Sequence, residues 1–479
     1  MKVMSDKLHE ECGVFGIWSS ENINAAQYIY YGLVALQHRG QESAGIAVNN
    51  NGTFIVHKRP GLVTEVFDDM TLSALEGSCA IAHARGGDGT YGLEGLQPTL
   101  IKSRVGNIAL SCDTSILNCN EIRDNLKNMG AIFQTSTDSE TILSLFSRNR
   151  VVTDSIEEAI IKTMKDMNGV YSLIFMSDDK LIGVRDPYGM RPLCLGKKDD
   201  LYFLSSENCA FDALDAEFIR DLEPGEVLSI SKDEIKSYYY DDSVSSDDRV
   251  KNGNICLFEY VYVARPDSYI DGTSVFDSRY KVGLALAKEQ PCECDIVIGA
   301  PDSGNAAAIG YAEGLGVPYG TGLLKNRYVG RTFIKSTQQQ RELAVRMKFA
   351  VLKSAVQGKR IAIVDDSLVR GTTTKHIIKF LKDNGAKEVH VRLASPMVKY
   401  PCCYGVNADA AEDLPAQSMS VEQIRDMIEA DSLGYISLES LKSSLSDIKC
   451  GCCSACFDGN YIAGKPCECS NSVHSVSYK

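Results

Sequence analysis

Between residues 12 and 235 the chain alternates short apolar runs with polar punctuation: GVFGIW, SAGIAVNN, GTFIVHKR, GNIALS, YSLIFMSD, LIGVRD, DLYFLSS and GEVLSIS. Runs of this length, bounded by Gly, Asn, Asp and Ser, predict strands. Apolar positions fall at helical spacing near 23–36, 119–129 and 155–167. Many short strands with few helices predict an antiparallel α+β unit. Residues 236–254, KSYYYDDSVSSDDRVKNGN, are acidic and serine-rich and predict a connection. From about 256 to 397 the rhythm becomes strand, loop, helix. CDIVIGAPDSGNAAAIGYAEGLG is one such unit, VPYGTGLL a second strand, RIAIVDD a third ahead of a helix over 373–384, and EVHVRLASP a further strand. This predicts a parallel α/β sheet with ligands at the carboxyl ends of its strands. Two helical pieces, VEQIRDMIEA and LESLKSSL, then precede a cysteine cluster, and no internal repeat is present.

Composition narrows the class. A chain of 479 residues is long enough for two or three domains, each with its own core. Hydrophobic content of 44% with 24% charged residues is that of a globular protein in water. No apolar run reaches the roughly 18 residues a membrane helix needs. The start, MKVMSDKLHEEC, lacks an apolar signal core, so a cytoplasmic location is expected. A net charge of −13 argues against a nucleic-acid partner. The 17 cysteines, an odd number, argue against a disulfide framework and leave thiols for metal or catalysis.

Residues 360–374, RIAIVDDSLVRGTTT, are the most informative stretch. A buried strand that opens into a small, hydroxyl-rich loop and then a helix is how α/β proteins cradle phosphate. Asp365 and Asp366 can reach ribose hydroxyls or Mg²⁺, and Ser367, Arg370, Gly371, Thr372, Thr373 and Thr374 line the loop. The alternative is an ordinary strand–loop–helix with solvated acids. The stretch resembles the phosphoribosyl pyrophosphate (PRPP) signature of phosphoribosyltransferases. The loop 301–305, PDSGN, also follows an apolar strand; it resembles a pyrophosphate loop, with Ser303 as a Mg²⁺ contact or a helix N-cap. Residues 325–348 are dense in Lys and Arg. They are either a solvated face or a closing loop in which Lys325, Arg327, Arg331, Arg346 and Lys348 meet phosphates.

The stretches ECGVFGIW, ALQHRGQESAGIAV, IAHAR and FQTSTDSETI resemble class II glutamine amidotransferases. With KNRYVGRTFI, VRMK, EYVYVARPDS, DPYGMRPL and FDALDAEFIRDLEPGEV, the resemblance extends over roughly residues 8–460 to the amidophosphoribosyltransferase family. It implies an N-terminal-nucleophile four-layer α+β sandwich followed by a type I phosphoribosyltransferase α/β domain. The expected division is a propeptide over 1–11, an amidotransferase domain over 12–240, a transferase domain over 255–440 and a cysteine-rich segment over 441–479. Removal of the propeptide would expose Cys12, whose own α-amino group would serve as base. Arg85 would bind the glutamine carboxylate and Asp138 its amino group. Residues 38–41 would support the nucleophile, Arg39 either there or as a buried structural ion pair. The implied reaction forms 5-phosphoribosylamine and pyrophosphate from PRPP and glutamine. It needs Mg²⁺ on Ser303, Asp365 and Asp366, serves purine synthesis, responds to AMP and GMP, and occurs in a homodimer or homotetramer.

Two departures stand out. Asp113 and Thr114 occupy the places where the family carries an asparagine and a glycine as oxyanion donors. A carboxylate repels a developing oxyanion, and loss of one donor costs about 10²–10³-fold in rate. Arg85 is followed by glycines at 86, 87 and 89 instead of an aromatic residue. A weakened glutaminase is expected, with free ammonia feeding the transferase; an ammonia-dependent paralogue and a PRPP- or nucleotide-sensing regulator are the alternatives. Cys256, Cys402, Cys453 and Cys456 lie where one branch of the family ligates a 4Fe–4S cluster, with zinc the competing reading. Cys403, Cys450 and Cys452 leave the ligand set open, while Cys467 and Cys469 are expected to be free.

Overall fold

The structure, a computed structural model, describes residues 12–86, 95–103, 106–326, 328, 347, 349–405 and 414–465. Two antiparallel sheets face each other in the first half. One has seven strands, in spatial order Glu217–Asp221, Cys194–Lys198, Leu201–Ser205, Gly13–Trp18, Cys79–Arg85, Ser43–Asn50 and Thr53–Pro60. The other has six: Ile235–Tyr239, Glu226–Ile230, Leu181–Arg185, Gly169–Met176, Gly106–Ile116 and Thr99–Ser103. The period of two along each strand sets the layers. Val14 and Trp18 point between the sheets with Ile174, Met176, Leu228 and Ile230. Phe15 and Ile17 point the other way, with Ile29 and Leu33 of the helix Ala25–Ala35. On the second sheet Leu110 and Cys112 share a core with Leu143 and Phe146 of the helix Asp138–Arg150 and with Ile160 of the helix Ile156–Asp166. The result is the helix–sheet–sheet–helix sandwich that the family resemblance implied.

Two local expectations shift. The strand predicted at 106–111 continues to Ile116, so Asp113 and Thr114 sit in regular pairing opposite Ser172 and Tyr171. Residues 236–239, read as part of a polar connection, pair with the strand Glu226–Ile230 and close the six-stranded sheet. Tyr238 and Tyr239 supply the strand preference that the flanking acids mask.

The second half is a parallel sheet in the order Ile296–Gly299, Arg360–Asp365, Glu388–Leu393 and Ser432–Tyr435. The strand predicted at VPYGTGLL is reduced to a bridge between Val297 and Tyr319 and a short pair, Leu323–Lys325 with Phe349–Val351. Pro318 and two glycines interrupt that run. The helices Val275–Glu289 and Asn305–Leu315 pack backbone against backbone. A Cβ on Gly283 would stand 2.0 Å from the Ala307 carbonyl and one on Gly310 2.1 Å from that of Tyr280. The chain then returns: the strand Gly451–Cys453 pairs in parallel with Asn254–Cys256, and Leu441, Leu445 and Phe457 join the core of Val282 and Leu286.

Candidate active site

Cys12 enters the strand Gly13–Trp18. The register that pairs Gly13 with Ala84 sets it opposite Arg85 at the end of the neighbouring strand. The Gly86 N–H donates to the Cys12 sulfur, yet burial, and after it the Asp113 carboxylate, push the thiol up to about 12. The Arg85 guanidinium donates to the Gly95 carbonyl at 3.3 Å. Asp138 opens a helix under the Thr137 cap, and its Oδ2 accepts the Ile116 N–H at 3.1 Å and the Thr114 hydroxyl at 3.3 Å. Burial raises the Asp138 carboxyl above the usual range. Thr114 lies in extended backbone and needs none of glycine's freedom there. Contacts thus link Cys12 to Arg85 and Asp113, and Thr114 to Asp138, with Asp113 and Thr114 on opposite faces of their strand.

Asp113 is buried, and its carboxylate accepts the backbone N–H of Cys12. Its Oδ2 lies 3.8 Å from a nitrogen of each of two buried guanidiniums, Arg39 and Arg191. Burial pushes its carboxyl up to about 7, against the pull of Arg39. Arg39 meets both readings above, a buried ion pair that also reaches Cys12. It bonds Glu207 Oε1 at 2.8 Å and both oxygens of Glu259, at 2.8 and 2.9 Å, and its Nε reaches the Cys12 carbonyl at 3.2 Å. Glu259 belongs to the second half, so this guanidinium ties the two halves together beneath the nucleophile. Arg191, Glu207 and Glu259 were not singled out from the sequence. The stretches of Arg191 and Glu259, DPYGMRPL and EYVYVARPDS, were legible as motifs, and Glu207 follows the apolar run DLYFLSS, but nothing in their spacing shows that they meet.

In the second half Asp365 and Asp366 end the strand Arg360–Asp365, both buried at its carboxyl end. The Asp366 N–H donates to Asp365 Oδ1 at 2.9 Å and the Ser367 hydroxyl to Asp366 Oδ1 at 2.7 Å. The loop turns at Gly371, φ +84°, into the helix Thr372–Asp383, whose first turn is Thr372, Thr373 and Thr374. Arg370 lies in the same turn. Ser303, in the loop before the helix Asn305–Leu315, lines one cavity with Asp366, Arg279, Tyr260 and Leu441. Lys325 Nζ pairs with Asp302 at 2.9 Å. Arg327, Arg331, Arg346 and Lys348, the segments 1–11 and 87–91, and Cys467 and Cys469 lie outside the described residues.

Pairing of Asn254–Cys256 with Gly451–Cys453 sets Cys256 beside Cys453. Burial raises both thiols, and each also feels Cys402; Cys456 feels Cys402 and Cys453. The Tyr404 N–H donates to the Cys402 sulfur at 3.4 Å. Arg191 feels the charge of Cys256, Cys402 and Cys453 and donates to the Tyr404 carbonyl. Cys450 instead faces Asp271, 3.8 Å away, and Cys403 faces Tyr461 and Lys465. Among the described residues no three His, Cys, Asp or Glu side chains form a ready pocket for a metal ion.

Known proteins resemble this chain in sequence and fold. A family model described as a glutamine amidotransferase domain matches residues 92–213. The amidophosphoribosyltransferase of Methanocaldococcus jannaschii is 46% identical over 459 residues, covering 94% of this chain and 97% of that protein. That of Bacillus subtilis is 44% identical over 462 residues, covering 95% and 94%. The solved structure of glutamine PRPP amidotransferase from B. subtilis complexed with ADP and GMP has a TM-score of 0.86 at 43% identity, covering 94% of this chain and 97% of that one. Fold and site together define a glutamine amidotransferase domain fused to a phosphoribosyltransferase. The chain belongs to the amidophosphoribosyltransferase family, and its activity is that of a pentosyltransferase of this type.

Proposed function

We propose that this chain displaces pyrophosphate from C1 of PRPP with ammonia, giving 5-phosphoribosylamine for purine synthesis, and that free ammonia supports the transfer faster than glutamine does. The observation that carries the second clause is Asp113, a carboxylate where an oxyanion donor is needed. Loss of such a donor costs about 10²–10³-fold, and a negative charge in its place adds repulsion. Asp113 also acts on the base. It accepts the Cys12 N–H, and once residues 1–11 are removed that nitrogen is the amine that must take the thiol proton. A carboxylate beside it holds it as ammonium. One observation favours a second reading, in which glutamine remains a working donor: the Asp113 carboxyl is pushed up to about 7, and a neutral carboxyl can donate to an oxyanion.

In the transferase half the 5′-phosphate would sit on the amides of Thr372, Thr373 and Thr374 at the positive end of a helix. Ser367 and Arg370 flank it, and Asp365 and Asp366 hold the ribose hydroxyls. Lys325, and Arg331 beyond the described residues, would turn to the pyrophosphate. The oxygens of Asp365, Asp366 and Ser303 are a hard donor set suited to Mg²⁺. When bound, the ion neutralises the leaving pyrophosphate.

Cys256, Cys402, Cys453 and Cys456 are proposed as ligands of a structural 4Fe–4S cluster. The four thiols are electrostatically coupled to one another, and four thiolates are the donor set such a cluster takes. Arg191, buried and feeling the charge of three of them, would balance their negative charge. AMP and GMP are proposed as feedback ligands, since the B. subtilis neighbour was solved with ADP and GMP. A homodimer or homotetramer in the cytoplasm is proposed. Among the described residues no helix is long and apolar enough to cross a membrane.

The test is phosphoribosylamine formation by anaerobically purified protein, with glutamine and ammonium in parallel. Faster turnover with ammonium supports the proposal. Equal rates, abolished for glutamine alone by Cys12→Ala, sink the Asp113 argument. Activity with neither moves the chain to the PRPP- or nucleotide-sensing reading. Iron and acid-labile sulfide contents test the cluster.

A further inference from the structure

We infer that Cys292 and Cys294 form a redox-active dithiol, in which Cys292 attacks peroxides and Cys294 resolves the product to an intramolecular disulfide. The pair lies between the helix Val275–Glu289 and the strand Ile296–Gly299, at the amino end of the parallel sheet, away from the phosphate loops.

The argument begins with Arg392, 4% exposed on the strand Glu388–Leu393. Its Nε donates to the Gln290 carbonyl at 2.7 Å and the Tyr311 hydroxyl at 3.1 Å. Its Nη1 donates to the Val391 carbonyl at 2.8 Å and Ser432 Oγ at 3.0 Å, and its Nη2 to the Pro291 carbonyl at 3.2 Å. Every one of these acceptors is neutral. The carboxylates that flank these partners and lie on its own strand are engaged elsewhere: Asp295 and Glu293 with Arg360, each at 2.9 Å, Glu388 with His390 at 3.2 Å and Asp431 with Lys382 at 3.0 Å. A buried guanidinium with no anion is costly.

The Cys292 thiol can supply that anion. Its sulfur lies 3.5 Å from the Tyr311 hydroxyl, which bridges it to Arg392. Tyr311 now gives its proton to the Gln290 carbonyl at 2.7 Å. That carbonyl also accepts from Arg392, so the hydroxyl can turn to a thiolate without orphaning it. The Cys294 thiol donates to Cys292 as well. This bond first, then Tyr311, Arg392 and His390, brings Cys292 down to about 5 against its burial, while Cys294 is pushed up and keeps its proton. Cys292 is half-buried and Cys294 buried, an attacking thiolate with a protonated partner one residue away.

The chemistry balances within the pair. The Cys292 thiolate attacks one peroxide oxygen, the O–O bond breaks, and the departing oxygen leaves as water, giving a sulfenic acid. The Cys294 sulfur attacks that sulfur, the S–O bond breaks, and a second water leaves. The two thiols lose two electrons and peroxide gains them.

The test uses the full chain, purified anaerobically, with graded hydrogen peroxide, iodoacetamide and peptide mapping by mass spectrometry. We expect a 292–294 disulfide at peroxide levels that leave Cys119 and Cys403 alkylatable. Alkylation of Cys292 should be nearly flat from about pH 6.5 to 8.5, while Cys119 rises about tenfold per unit. Cys294→Ser should replace the disulfide with a Cys292 sulfenic acid that dimedone captures. Tyr311→Phe, which preserves shape, should restore part of the pH slope. A Cys292 slope like that of Cys119, or oxidation of the other thiols with no 292–294 disulfide, overturns the inference.

Discussion

Asp113 in the sandwich and the Asp365–Asp366 pair in the parallel sheet are buried strand carboxylates in the two halves, and they differ in where the strand leaves them. Asp113 lies inside a paired strand. Its charge is taken up by the Cys12 N–H and two guanidiniums. Asp365 and Asp366 lie where a strand ends and a loop opens, beside Ser367 and a helix N-terminus. The first environment compensates a charge internally, so the fold accepts Asp113 although the chemistry of the pocket resists it. The second keeps its acids at a mouth where a ligand can use them. The difference teaches that a buried charge in a paired strand can be absorbed by the architecture, whereas acids at a strand end stay available to a ligand.

The largest effect should come from breaking the intact side. Asp366→Asn is expected to lower phosphoribosylamine formation at least about 10³-fold with either nitrogen source. Circular dichroism should be unchanged. A loss confined to glutamine would mean that the acids at the strand end do not hold PRPP. Next, Asp113→Asn with Thr114→Gly should raise glutamine-supported turnover about 10²–10³-fold and leave the ammonium rate where it was. No gain would show that the glycine-rich stretch after Arg85 limits this half instead.

Much of this contrast was legible in the sequence. The period-two runs predicted an antiparallel α+β unit, the family resemblance implied its two-sheet sandwich, and the strand–loop–helix units predicted the parallel sheet with its acids at the carboxyl end of a strand. The Asp113–Thr114 departure was visible as well. Its partners were not, because Arg39 and Arg191 are far from Asp113 in sequence and meet it only in the folded sandwich, where Glu207 and, from the second half, Glu259 hold Arg39. For the same reason the extent of the strand through Ile116 escaped notice. Ser111, Asp113 and Ser115 make it look polar, and only the packed arginines explain how a carboxylate stays there. Arg392 and Cys292 belong to the same category, brought together by a loop and a strand roughly a hundred residues apart.

Arg39→Met tests whether the internal compensation holds the halves together. It leaves Glu207 and Glu259 buried without their guanidinium, and removing one partner of such a set costs about 3–5 kcal/mol. The measurement is a urea midpoint against wild type. The two buried carboxylates differ in what remains to them. Glu207 keeps His38 at 2.6 Å and the Ser268 hydroxyl at 2.6 Å, so Glu259→Gln in the Arg39→Met background should recover most of the loss. If it recovers nothing, the cost lies in packing and not in charge.

The smallest effect is the sharpest on sign. The Asp113 carboxyl stands at about 7 in the folded chain, raised by burial from the ordinary carboxylate range. Between roughly pH 4 and 7 the folded protein therefore keeps a proton that the unfolded chain has lost. Its contribution to stability is fully present below that window and is lost as pH rises through 7. Asp221, also at about 7, and Asp186, at about 6, act in the same direction. The urea midpoint should fall from pH 5 to pH 8, and Asp113→Asn should flatten part of that fall. The same proton converts Asp113 from an acceptor that repels an oxyanion into a donor that meets it. At a fixed concentration of neutral ammonia, the ratio of glutamine-supported to ammonia-supported turnover should then rise several-fold from pH 8 to pH 6 in the wild type and stay level in Asp113→Asn. A level ratio in both proteins would mean that Asp113 never takes part in the glutamine half, and that its two arginines hold it as structure alone.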